Sequence, residues 1–343
     1  MKAVRFHAHG GPEVLQYEDA PDPVARPGYV VVRVAACALN HLDLWQRRGL
    51  DRVTLPMPHI SGADVAGTIV GVGEGVADLA AGQRVMLQPG LSCGRCAACL
   101  SGADDRCPRY DVLGYQSEGG YAELVAVPAA NVIALPDHID FITAAAFPLT
   151  FLTAWHMLFA GGRLTSADTV LVVAAGSGVG QAAVQIAASA RARVIATARG
   201  QEKCDRARAL GAGAVINSLT EDVPKAVKAL TSGRGATIVI EHVGVATWEA
   251  SVRSLARGGR LVTCGATTGH DASLDLRHLF ARQLTFVGSY MGAKAELLQA
   301  ADGLFRGLFA PVIDSTFPLC DAAEAHRRLE AGSQFGKVVL VVD

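Results

Sequence analysis

Four cysteines set the first chemical constraint. Cys93, Cys96, Cys99 and Cys107 stand at C-x2-C-x2-C-x7-C spacing within GLSCGRCAACLSGADDRC. Thiolates are soft ligands, and four in one short loop complete a tetrahedral shell around zinc. A complete shell leaves no position for water or substrate, so one zinc per chain is expected here as a structural ion. Four free thiols on such a loop would oxidise and leave it with little to hold it. Thiolates also ligate iron–sulfur clusters, but this spacing fits no ferredoxin run. Of the 8 cysteines, the remaining Cys37, Cys204, Cys264 and Cys320 are scattered and read as small buried hydrophobes.

A second constellation is the stretch TVLVVAAGSGVGQAAVQIAA, an apolar strand, a glycine-rich turn and a helix. Such a turn lets backbone approach a pyrophosphate seated on the helix N-terminus. Strict G-x-G-x-x-G spacing is not met: counting back from Gly180 puts Ala175 and Ser177 at the first two glycine positions. The weight therefore falls on context, a strand before, a helix after and four further β/α units. The next strand, RVIATARGQEK, carries Ala198, Arg199 and Gly200 where an acid would bind the ribose of NAD. A small residue leaves room for a 2′-phosphate, and Arg199 with Lys203 could neutralise it. NADP(H) is the expected cofactor, with NAD(H) as the alternative. The competing reading makes Arg199 and Lys203 solvated surface charges.

Two kinds of element must position these residues. The first stretch alternates short β-rich runs with Gly and Pro (YVVVRVAACAL, VAGTIVGVG, QRVMLQP, YAELVAVP), the texture of a barrel-like or mixed β domain. From about residue 140 a long apolar helical pattern leads into regularly alternating strands and helices, which describes βαβ units on a parallel sheet. The final GKVVLVVD is a strand outside that run and is expected to return to the first domain.

Length and composition agree. A chain of 343 residues, 50% hydrophobic, exceeds one ordinary core. A net charge of −1 offers no basic excess for phosphate backbones, which argues against nucleic acid as a partner. No apolar signal core and no run of about 20 apolar residues is present, so a cytoplasmic protein without a membrane partner is expected.

Taken together, ALNHLDLWQRRG, GADVAGTIVGVGEGV, the four-cysteine lobe, AAGSGVG and FGKVVL resemble the medium-chain dehydrogenase/reductases, the superfamily of zinc alcohol dehydrogenases and quinone oxidoreductases. The resemblance spans nearly the whole chain. It implies an α/β protein, with a GroES-like β-rich catalytic domain over 1–146 and 289–343, its zinc lobe at 91–108. A Rossmann doubly wound parallel-sheet domain over 147–288 is implied between them, with the nicotinamide in a cleft between domains. It also implies a homodimer or homotetramer acting on a small molecule.

The departures from the family pattern bear on chemistry. Zinc alcohol dehydrogenases hold a second, catalytic zinc. Its first ligand position is here Asn40, in Asn40-His41-Leu42-Asp43; its second is Ala63, in Gly62-Ala63-Asp64; its third falls near Ala145. Alanine cannot coordinate, and a lone Asn is a poor zinc ligand. A site relocated onto Cys37, His41, His59 and Asp64 would match no ligand spacing of the family. The pattern resembles the zinc-free quinone oxidoreductases, yet with the structural lobe retained. Without a Lewis acid, simple alcohol oxidation loses its main electrostatic help. A quinone or an α,β-unsaturated carbonyl spreads incoming charge onto an oxygen that hydrogen bonds can stabilise. NAD(P)H-dependent reduction of such acceptors is the expected activity, with alcohol dehydrogenase or carbonyl reductase as the alternative.

On this resemblance, Asn40 offers its amide to the substrate oxygen. His41 contacts the pyrophosphate or serves as an acid near neutral pH. Asp43 orients its neighbours or caps a helix, and Trp45 walls the pocket or is plain core. The expected cofactor contacts are Thr153, Ser177, Gly178, Val179, Arg199, Lys203, Gly265, Ala266, Gly288, Ser289 and Lys337.

Overall fold

A computed structural model describes residues 1–50 and 53–342. In chain order the elements that carry the argument begin with β1 (Tyr29–Ala38), α1 (His41–Arg48), β2 (Asp64–Val72), β3 (Arg84–Leu87), β4 (Leu124–Pro128) and β5 (Val132–Ala134). Helix α2 (Pro148–Trp155) follows, then β6 (Thr169–Val172), α3 (Gly178–Ser189), β7 (Arg193–Ala198), α4 (Gln201–Ala209), β8 (Ala214–Asn217) and β9 (Ala236–Glu241). The chain continues through α5 (Val245–Ser254), β10 (Leu255–Thr263), β11 (Thr285–Gly288), α6 (Lys294–Phe305), β12 (Ile313–Pro318), α7 (Ala322–Glu330) and β13 (Lys337–Val341).

The chain divides into two compact units. The first comprises Met1–Leu149, Ala293–Phe305 and Ala310–Asp343; the second comprises Thr150–Gly292 and Arg306–Phe309. Sequence reading put the junctions after residues 146 and 288. Leu149, the last residue of the first unit's long segment, donates its backbone N–H to the Asp64 carboxylate at 2.7 Å.

The first unit is built on a mixed sheet of order β12-β13-β1-β2-β3-β5, with β4 also paired to β1. β1 reads YVVVRVAACA, and its Val30, Val32, Val34 and Cys37 join the core with Val65, Ile69, Val85 and Leu87 of the neighbouring strands. β13, the terminal strand, pairs antiparallel with β1, Leu340 opposite Cys37. A segment about 300 residues downstream thereby comes beside the start of α1, which is the long-range contact the site depends on. Burial of each such Val or Leu side chain contributes about 1.5–3 kcal/mol.

The second unit is a six-stranded parallel sheet of order β8-β7-β6-β9-β10-β11. Numbered within that sheet, this is the 3-2-1-4-5-6 order of doubly wound dinucleotide folds, whose ligand crevice opens where the order reverses, between β6 and β9. The central strands β6 and β9 are mostly apolar, as burial on both faces requires; Val170, Leu171, Val172, Ile238, Val239 and Ile240 are fully buried. Among the described residues no helix is long and apolar enough to cross a membrane.

Candidate functional site

The four cysteines converge. Their sulfur atoms all lie within 4.8 Å of one another. A tetrahedron with Zn–S bonds of about 2.3 Å has S···S edges of about 3.8 Å; Cys93 and Cys99 stand at 3.9 Å and Cys96 and Cys99 at 3.4 Å. Backbone N–H groups of Cys93 and Arg109 point at Cys107 Sγ, each at 3.4 Å. The Arg95 backbone N–H, then the Arg109 guanidinium, pull the Cys93 thiol down to about 5, while Cys96, despite the Cys99 N–H, is pushed up to about 11 by desolvation and the neighbouring sulfurs. The cluster fits a structural zinc. Among the described residues it is the one convergence of three or more His, Cys, Asp or Glu side chains.

The residues expected at the positions of a second zinc carry other groups. Ala63 and Ala145 are buried and carry no ligand atom. Asn40 ends the extended segment before α1, 7% exposed, and its Nδ2 donates to Asp64 Oδ2 at 2.9 Å. Lys337, at the start of β13 and 3% exposed, donates from Nζ to Asn40 Oδ1 at 2.6 Å and to Asp64 Oδ2 at 3.0 Å. Asp64 is fully buried, with its other oxygen held by the Leu149 N–H. An ammonium and a carboxylate thus neutralise one another, with an amide between them, which is what makes two buried charges tolerable. Two bonds leave Lys337 Nζ one further N–H, and one bond leaves Asn40 Nδ2 one further hydrogen. Glycine is required beside this cluster: Gly62 has φ +108°, and a Cβ there would meet the Tyr121 ring at 2.5 Å and Cys37 Sγ at 2.8 Å.

Asp43 serves helix α1. Its Oδ2 accepts from the Asn40 N–H at 2.7 Å, closing the first turn over the residue that carries the amide. The same oxygen accepts from the Tyr121 hydroxyl at 3.1 Å, and Tyr121 meets His326 Nε2 at 3.3 Å. His326 Nδ1 faces an Arg47 Nη at 3.0 Å. A guanidinium only donates, so Nδ1 accepts and Nε2 carries the hydrogen toward Tyr121. Arg47 is itself held by Glu330. Burial pushes Asp43 up to about 6 and, with Arg47 and Arg48 adding to it, pushes His326 down to about 3. Sequence reading missed Arg47, Tyr121 and His326. Each stands on a separate segment, and no local spacing joins them.

His41 and Trp45 are half-buried on α1, ring centroids 6.4 Å apart. His59 is fully buried outside any named helix or strand, with Nε2 on the Gly114 carbonyl at 3.1 Å and its ring edge-on to Phe6.

The expected cofactor residues of the second unit gather at the carboxyl ends of the parallel strands, except Thr153, which is buried on α2. Ser177 is the N-cap of α3, its Oγ accepting from the Gly180 N–H at 2.9 Å; Gly178 and Val179 open that helix. Gly180 must be glycine, since a Cβ would stand 2.3 Å from the Ala174 carbonyl oxygen. That is the close helix–strand packing a dinucleotide fold needs. Arg199 is exposed just past β7, and Lys203 lies half-buried on α4. Gly265 and Ala266 follow β10; Gly288 closes β11. Ser289 beyond it donates its N–H to Thr263 O at 2.8 Å, while its Oγ is buried without a partner. This cradle, with an open helix N-terminus and an orphaned hydroxyl, fits a nicotinamide dinucleotide.

Comparison with known proteins agrees with the two units. Residues 26–137 match the alcohol dehydrogenase GroES-like domain, and residues 178–306 the zinc-binding dehydrogenase domain. A quinone oxidoreductase of Pseudomonas aeruginosa is 33% identical over 352 residues, 99% of each chain. The chain belongs to the medium-chain dehydrogenase/reductase superfamily. An alcohol dehydrogenase of Geobacillus stearothermophilus is 32% identical over 96% of each chain. A crystal structure of an NAD-dependent alcohol dehydrogenase superposes with TM-score 0.97, at 47% identity and full coverage of both chains. The protein is thus an NAD(P)-dependent oxidoreductase with a GroES-like and a Rossmann-like unit.

Proposed function

We propose that this reductase transfers hydride from NAD(P)H to quinones or to the activated C=C bond of α,β-unsaturated carbonyls without a catalytic metal. The observation that carries the reading is the buried Asn40–Asp64–Lys337 cluster, in which Asn40 stands at the first of the expected catalytic-zinc positions while Ala63 and Ala145 at the other two offer no ligand atom. Hydride addition to an enone or quinone leaves negative charge on oxygen. The remaining amide hydrogen of Asn40 donates to that oxygen, its orientation fixed by Asp64 and Lys337 before the substrate arrives. Lys337 keeps Asp64 neutralised, so the carboxylate does not oppose the developing charge. The bound cofactor supplies the hydride. His41 or solvent supplies the proton, and Trp45 walls the substrate pocket.

We further propose NADP(H) as the preferred cofactor, because Ala198 ends β7 where an acid would select NAD and Arg199 follows it exposed. A cytoplasmic homodimer fits the family resemblance, and light scattering reads its mass directly. A second reading, alcohol dehydrogenase, is favoured by the 47% identical relative bearing that name.

One panel separates the two: enals, enones, quinones, aldehydes and alcohols, each with both cofactors, with metal content measured on the same preparation. Turnover of enones or quinones with one zinc per chain is expected. Alcohol oxidation outpacing both, with two metals per chain, would establish the second reading. Arg199→Ala should weaken NADPH about tenfold and leave NADH unchanged; equal NADPH affinity would overturn the cofactor choice.

A further inference from the structure

His242 lies in the second unit, one residue past β9, on the strand that flanks the crevice opposite β6. Its Nε2 stands 2.7 Å from Ser177 Oγ, which belongs to the turn after β6. The bond therefore spans the point where strand order reverses, and Ser177 is the residue that replaces the second glycine of the phosphate-binding turn.

The loop that carries His242 is held from below. Glu241, fully buried, accepts from the N–H groups of Val243 and Gly244 and from the hydroxyls of Thr247 and Ser251. From the β10 side, Thr267 Oγ1 donates to the His242 carbonyl at 3.3 Å.

Hydrogen-bond accounting assigns the protons. His242 Nδ1 is buried with no partner. A buried N–H without an acceptor is the costlier orphan, whereas a bare ring nitrogen costs less. The hydrogen therefore sits on Nε2 and is donated to Ser177 Oγ. That oxygen already accepts from the Gly180 N–H, so both of its lone pairs are committed. One donor remains on Ser177, its hydroxyl hydrogen, and rotation about Cβ–Oγ is no longer free. The Gly178 and Val179 N–H groups beside it have no intrahelical acceptor. Three donors and no acceptor at the first turn of a 12-residue helix are complementary to a phosphate diester anion.

We infer that His242 is a positioning residue for the cofactor's diphosphate: it locks the Ser177 hydroxyl as a donor and so compensates for the missing second glycine. The inference rests on the dinucleotide reading of this unit.

The test is fluorescence titration of the intact protein with NADH and NADPH. His242→Phe should weaken both by about tenfold, the loss expected for one hydrogen bond to a charged group. Ser177→Ala should weaken both by at least that factor. The double variant should be no weaker than Ser177→Ala alone, because His242 acts only through that hydroxyl. His242→Gln, which returns an N–H donor at similar reach, should recover most of the affinity. A melting curve on each variant separates lost binding from lost folding. Unchanged affinity in folded His242→Phe, or additive losses in the double variant, would overturn the role of His242 and leave the dinucleotide reading intact. A parent protein that binds neither dinucleotide would overturn that reading, and this inference with it.

Discussion

The cysteine lobe and the Asn40–Asp64–Lys337 cluster occupy the same unit, and a zinc alcohol dehydrogenase would hold a metal in each. They differ in how far apart their parts lie in the chain. The lobe draws its four ligands from 15 consecutive positions, 93 to 107. The cluster draws its three residues from positions 40, 64 and 337, brought together because β13 pairs with β1 and β1 with β2. A local metal site needs nothing outside its loop to supply a ligand. A dispersed cluster depends on pairings between distant segments. Here those pairings bring an amide, a carboxylate and an ammonium together.

The largest effect should come from the lobe. Cys99→Ser, or prolonged chelation, should reduce zinc from one per chain to none and loosen residues 91–108 by on the order of 10 kcal/mol. Metal analysis with hydrogen exchange over that loop reads both. Retention of one zinc by Cys99→Ser would place the ion elsewhere and undo the comparison.

The cluster should respond less, but in a way diagnostic of a buried charge pair. Lys337→Met removes the ammonium from the buried Asp64 carboxylate, which keeps only the Asn40 amide and the Leu149 N–H, and should cost about 3–5 kcal/mol in chemical denaturation. Adding Asp64→Asn should return much of that loss. If the double variant is as unstable as the single, the ammonium acts through packing rather than charge.

Smaller again is the effect on turnover. Asn40→Ala should lower kcat about 100-fold on an enone or quinone with little change in cofactor affinity, as for loss of one oxyanion donor. An unchanged kcat would confine Asn40 to holding the ion pair.

The smallest effect is on acid stability, through the network behind Asn40. His326 has a folded value of about 3 against an ordinary 6.5, so the unfolded chain binds the extra proton between those values. Stability from this residue is lost as pH falls from 6.5 toward 3. Asp43, raised to about 6, works the other way: the folded state binds its proton first, and stability is regained as pH falls from 6 toward 3.8. His326→Gln keeps an acceptor for Arg47 and a donor for Tyr121 but does not titrate. Its acid unfolding midpoint, followed by circular dichroism, should move down by about one pH unit. A midpoint that stays put would mean that other carboxylates govern acid unfolding.

Local spacing and periodicity determined the four-cysteine cluster, the β-rich start and the βαβ run; only the family resemblance marks Asn40, Ala63 and Ala145 as positions where a zinc ligand would be expected. The first three are properties of a few neighbouring residues: thiol spacing and the period of apolar positions. What surrounds Asn40 was not legible. Lys337 is expected as a cofactor contact, and its bonds to Asn40 and Asp64 follow only once β13 is placed beside β1. Asp64 reads as the residue after a missing ligand until the ammonium is found 3.0 Å away. His242 reads as the end of an apolar strand until the 3-2-1-4-5-6 order sets it against Ser177. In each case the pairing depends on which strands are neighbours, and strand order is decided by burying whole sheet faces rather than by any local run of residues.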